Sequence, residues 1–152
     1  LVPSLTFSAT ASAILYNQLE PVFVDSDPRT LNIDLNDLEK KYDKDCVAVM
    51  PVHYTGHPAP MEELMPWAKQ KNLKVIEDCA HTPGSFYKGK RLGLWGDIGC
   101  FSFYRGFEAS PEALVPSSSP TTLRHNEGLT EALLLLCSYL SFLCCHLYDC
   151  HL

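Results

Sequence analysis

Four short apolar runs constrain this chain most: PVFVD at residues 21–25, CVAVMPV at 46–52, LKVI at 73–76 and IGCFSFY at 98–104. Each is rich in β-branched or aromatic residues and lacks a regular polar alternation. That pattern predicts strands buried on both faces. Between the runs the spacing turns helical. Ala11, Ile14, Leu15 and Leu19 mark one helix within residues 10–19. Asp34 stands as an N-cap ahead of Leu35, Leu38 and Tyr42. Pro60 opens a third helix, whose apolar face is Met61, Leu64, Met65 and Ala68. Pro66 is expected to bend that helix or shorten its first turn. Residues 87–90 (YKGK) read as a turn between two short strands. Alternating strands and helices predict an α/β fold, a mainly parallel sheet covered by helices. No internal repeat is visible.

Ligands bind such sheets beyond the carboxyl ends of the strands. The residues there are Asp25, His53 with Tyr54, the segment from Glu77 to His81, and Ser102. Asp78 and His81 carry the most chemistry. A carboxylate at a strand end can hold a cationic ring nitrogen, and an imidazole three residues on can donate to a nearby oxygen. The local pattern leaves an alternative: Asp78 caps the following turn through backbone N–H groups. His53 and His57 read as surface or turn residues rather than a metal pair. Asp97 reads as a turn holder.

Composition divides the chain. Residues 1–104 contain 10 Lys and Arg and 13 Asp and Glu, whereas residues 105–152 contain 2 and 5. No lysine follows Lys90, and four of the seven cysteines lie in the last 48 residues. We place a boundary at residue 104, with a Pro/Ser-rich linker at 111–122 and an apolar run at 132–148 behind it. That run is 17 residues long, at the lower limit for a membrane span, and Ser138, Ser141 and His146 weaken it. A membrane partner is not expected. The odd cysteine count without a C-x-x-C pair suggests neither a disulfide framework nor a zinc ribbon, so a reducing, cytoplasmic setting is expected. Cys144, Cys145, His146, Cys150 and His151 lack metal-ligand spacing, and no metal site is expected. A net charge of -6 argues against a nucleic-acid binder working through a broad basic face. Leu1 in place of an initiator Met suggests a start inside a longer product, and no signal peptide is visible.

Three ordered stretches carry a resemblance. They are VPSLTFSATASAILYNQLEPVFVDSDPRTLNID, then PVHYTGHPAPMEELMPWAKQKNLKVIEDCAHTPGSFYKGKRLG, then GDIGCFSFY. Together they resemble the sugar aminotransferases of the DegT/DnrJ/EryC1/StrS family, pyridoxal 5'-phosphate enzymes of the aspartate aminotransferase fold. The resemblance spans residues 1–104 and implies part of the large, cofactor-binding domain of a fold-type I enzyme. It implies that Asp78 pairs with the pyridine nitrogen and keeps it protonated, so that the ring acts as an electron sink. It implies that His81 lies near the cofactor's phenolic oxygen, that Phe7 stacks on its ring and that Ser102 contacts its phosphate. For Phe7 and Ser102, core packing and an ordinary strand serine remain the alternatives.

One departure stands against these matches. The family's catalytic lysine is expected at about position 107, where this chain has Phe107. Arg105 does not replace it, because a guanidinium stays protonated and is no usable nucleophile. The resemblance implies transfer of an amino group from glutamate or glutamine to a nucleotide-linked keto-sugar by a family homodimer. Without the lysine, this chain is expected to be an inactive fragment. The alternative is a non-catalytic binding or regulatory partner of a full-length homologue. Residues 105–152 resemble nothing in the family and read as an out-of-frame or intron-derived extension.

Overall fold

The computed structural model describes residues 1–102. Phe107, the linker and the apolar run at 132–148 lie outside the described residues. Within them, parallel strands alternate with helices, as the apolar runs predict. The strands are β1 (Val2–Pro3), β2 (Phe23–Val24), β3 (Ala48–Val49), β4 (Lys74–Asp78), β5 (Phe86–Tyr87), β6 (Lys90–Arg91) and β7 (Ile98–Cys100). β1 pairs parallel with β2, and β4 lies between β3 and β7 in a second parallel group. Leu1 joins the groups: its amino group donates to the Ala48 carbonyl, and its carbonyl accepts from Met50 N–H, both at 2.9 Å. Bonds that bracket one residue in this way are the parallel pattern. The strand order is therefore β2, β1, β3, β4, β7. β5 and β6 form the expected antiparallel hairpin around Lys88 and Gly89.

The helices are α1 (Ser8–Tyr16), α2 (Leu35–Lys41) and α3 (Met61–Gln70). α2 starts as predicted, with the Asp34 side chain accepting from Asn36 N–H at 2.7 Å. Leu38 is fully buried beneath it. α3 buries Met61, Leu64 and Ala68. It continues through Pro66 as one ten-residue helix. α1 differs more. Its buried residues are Ala9, Thr10, Ala13 and Ile14, while Leu15 is 59% exposed and Leu19 lies beyond the helix end. That face packs against Val2, Met50 and Ile76 of the sheet.

The core lies on the two faces of the sheet. Val24, Ile33, Leu38, Val49, Met61, Leu64 and Val75 form one cluster, and Val2, Ala13, Ile14, Met50 and Ile76 form the other. Two glycines set how closely the segment after β6 approaches this core. Gly93 has φ +85°, and a Cβ there would run into the Phe101 ring. A Cβ at Gly99 would run into the Gly93 backbone. Among the described residues, Cys46 and Cys79 are free thiols. No helix among the described residues is long and apolar enough to cross a membrane.

Candidate functional site

Phe7, Asp78, His81 and Ser102 lie at or after the carboxyl ends of β1, β4 and β7, whereas Asp25 follows β2. Phe7 follows β1 at the start of α1 and is 46% exposed. Ser102 lies two residues past β7 and is half-buried. Asp78 ends β4 and is 5% exposed. His81 follows it across a short turn.

Asp78 receives two hydrogen bonds. Thr10 Oγ1 donates to Oδ2 at 2.9 Å, and Ala80 N–H donates to Oδ1 at 3.1 Å. The second bond is the turn-capping role that the local pattern allowed. The first comes from α1, 68 residues away in sequence. An ionised carboxylate offers about four acceptor positions, so Asp78 keeps room for a further donor. Burial raises its carboxyl above the ordinary value. The Ala80 and Thr10 bonds oppose that rise without cancelling it.

His81 is held from the β3 side. Thr55 N–H donates to its Nδ1 at 3.1 Å, which places the ring proton on Nε2. The Tyr54 ring meets it edge-on at 5.9 Å. Thr55 adopts φ +50° in making this turn, a left-handed conformation that a β-branched residue rarely takes.

The sequence reading misplaces His53. It is not a surface or turn residue but is fully buried, and so is Glu77. Ala59 N–H donates to His53 Nδ1 at 3.0 Å, so Nε2 carries the proton and donates to Glu77 Oε2 at 3.1 Å. Gly93 and Gly96 N–H groups donate to the same carboxylate at 2.8 and 2.7 Å. Burial raises the Glu77 carboxyl, but His53, Gly96 and Gly93 outweigh it and leave the group below its ordinary value. Cys79 lies close enough to His53 and Glu77 for three ligand atoms to meet within 4.8 Å. The His53 tautomer has no lone pair on Nε2 to offer a cation, and burial pushes the Cys79 thiol up. This cluster is a structural network. Asp97 ties its segment to the start of β4 rather than holding its own turn: its carboxylate accepts from Val75 N–H and pairs with Lys74, both at 2.9 Å.

The model of the DegT/DnrJ/EryC1/StrS aminotransferase family matches residues 1–107, and the chain belongs to that family. It is 48% identical over 104 residues to GDP-perosamine synthase of Escherichia coli O157:H7, covering 68% of this chain and 29% of that protein. It is 46% identical over 103 residues to dTDP-3-amino-3,6-dideoxy-alpha-D-galactopyranose transaminase of Aneurinibacillus thermoaerophilus, covering 68% and 28%. The aminotransferase structure from Psychrobacter cryohalolentis aligns with a TM-score of 0.66 at 36% identity, covering 68% of this chain and 27% of that one. The chain thus spans less than a third of the length of these relatives. Its fold is that of part of a fold-type I aminotransferase.

Proposed function

We propose that residues 1–104 supply part of the pyridoxal-phosphate-binding large domain of an aminotransferase, and that residues 105–152 form an unrelated tail. The substrate class is a nucleotide-linked keto-sugar, with glutamate or glutamine as amino donor, as the resemblance and the names of the relatives suggest. One observation carries the reading: Asp78 is buried, oriented by two donors and still able to accept a third. That donor set suits a protonated ring nitrogen. When bound, the cofactor supplies an electron sink for a carbanion at the substrate carbon. Asp78 holds the proton on the ring nitrogen. His81, with its proton on Nε2, donates toward the ring's phenolic oxygen. Phe7 covers one face of the ring, and Ser102 donates to the phosphate.

The sequence has no lysine beyond Lys90, with Phe107 where the family lysine is expected. The chain therefore holds the cofactor without a covalent bond and does not turn over. The same fact supports a second reading, a non-catalytic partner of a full-length homologue. Titration of the full chain with pyridoxal phosphate, followed by absorbance and by dialysis, tests the first. Saturable, dialysable binding that Asp78→Ala abolishes is expected. No saturable binding, or equal binding by Asp78→Ala, overturns the proposal. Phe107→Lys should add a label at position 107 that borohydride reduction makes permanent, located by mass spectrometry. Copurification of a larger homologue would favour the second reading.

A further inference from the structure

We propose that Thr6 and Thr10 form a hydroxyl relay that orients the Asp78 carboxylate toward the cofactor ring nitrogen, making Thr10 a positioning residue of the site. The proposal rests on the reading of Asp78 given above. Thr10 is fully buried, and its side chain makes both bonds of the relay. Its Oγ1 donates to Asp78 Oδ2 at 2.9 Å and lies 2.7 Å from Thr6 Oγ1. An ionised carboxylate only accepts, so the Thr10 proton points to Asp78. The lone pairs of Thr10 are then left for Thr6, whose hydroxyl proton points to Thr10. The direction of the whole chain follows from the charge at its end, and hydrogen bonds aligned in this way strengthen one another.

The placement in the fold gives the relay its use. Thr6 and Thr10 flank Phe7, and Thr10 N–H donates to the Phe7 carbonyl at 3.1 Å. One turn of chain therefore carries both the ring proposed to stack on the cofactor and the hydroxyl that holds the ring's carboxylate partner. Ala80 N–H fixes the other oxygen of Asp78 from β4's own turn. With one oxygen held from each side, the carboxyl plane is fixed, and its remaining acceptor positions have a set direction.

The test compares the full-length chain with Thr10→Val, Thr10→Ser and Thr6→Val. Each is titrated with pyridoxal phosphate and with its analogue that carries carbon in place of the ring nitrogen. The ring-nitrogen 15N shift of labelled, bound cofactor is read alongside. Wild type should prefer the nitrogen-bearing cofactor. Thr10→Val should reduce that preference about tenfold and move the 15N shift toward the unprotonated ring, and Thr10→Ser should restore both. Thr6→Val, which leaves Asp78's own contacts intact, should give a smaller change in the same direction. It keeps the test decisive if Thr10→Val does not fold. If wild type prefers the nitrogen-bearing cofactor while folded Thr10→Val and Thr6→Val match it in preference and shift, the relay is refuted and the reading of Asp78 survives. If wild type shows no preference between the two molecules, the reading of Asp78 itself fails.

Discussion

Glu77 and Asp78 are neighbours on β4, both acidic and both buried, yet the fold treats them in opposite ways. Successive strand residues point to opposite faces of the sheet. On one face, Glu77 receives three donors, two of them backbone N–H groups from the segment that follows β6. On the other, Asp78 receives two and keeps acceptor room. The results differ in sign: Glu77 falls below its ordinary carboxyl value, while burial lifts Asp78 above its own. A satisfied carboxylate ties parts of the fold together. An under-occupied one holds charge in place for something else, at some cost to stability.

Removing the satisfied carboxylate should have the largest effect. Glu77→Ala leaves His53 Nε2–H and two glycine N–H groups buried without an acceptor. Breaking a buried, hydrogen-bonded pair costs about 3–5 kcal/mol. Glu77→Gln should cost about 2–3 kcal/mol, because its amide turns donors toward donors. His53 cannot adapt by switching tautomer, since Ala59 N–H already occupies Nδ1. Urea unfolding of the full chain measures both losses. A change below about 1 kcal/mol for Glu77→Ala would show that the network is not holding the fold.

Gly93→Ala sharpens the same side of the comparison. It keeps the N–H that reaches Glu77 but forces a side chain onto φ +85° and against the Phe101 ring. A loss of about 2–3 kcal/mol is expected from strain and crowding together. If the loss appears undiminished in the Glu77→Gln background, the two act independently. A smaller loss there shows that they act through the same segment.

The two carboxylates also show how far the sequence could be read. Asp78 was legible: a carboxylate after an apolar run, followed three residues on by His81, points to the end of a strand in a parallel sheet. Its capping of Ala80 was legible too, because an Asp that accepts from the N–H two residues ahead is a local event. Thr10 was not, because its partner lies 68 residues away and only the packing of α1 on the sheet brings them together. The exposed Leu15 has the same origin. Spacing alone favours the face with the larger apolar residues, whereas packing on the sheet buries the alanines, Thr10 and Ile14. His53 and Glu77 were hidden for a further reason. Polar residues read as exposed until the fold supplies partners enough to bury them.

The smallest effect on stability, and the most telling in sign, should come from Asp78→Asn. Asn keeps an oxygen for Ala80 N–H. Thr10 can turn its hydroxyl to accept from the new amide and donate to Thr6 instead, so few bonds are lost. What disappears is a buried charge. Asp78 has a folded value above its ordinary 3.8. Its contribution therefore favours folding below that pH and is lost as pH rises through the folded value. At neutral pH, Asp78→Asn should equal wild type or exceed it by about 1 kcal/mol while losing most cofactor retention. The gain should vanish in acid. Glu77 runs the other way, its stabilisation complete above its ordinary 4.5 and lost as pH falls through the lower folded value. Urea midpoints across pH 3–7 for wild type, Asp78→Asn and Glu77→Gln separate the two. If Asp78→Asn instead lost stability at neutral pH as Glu77→Gln does, both carboxylates would be structural, and the functional assignment of Asp78 would lose its physical basis.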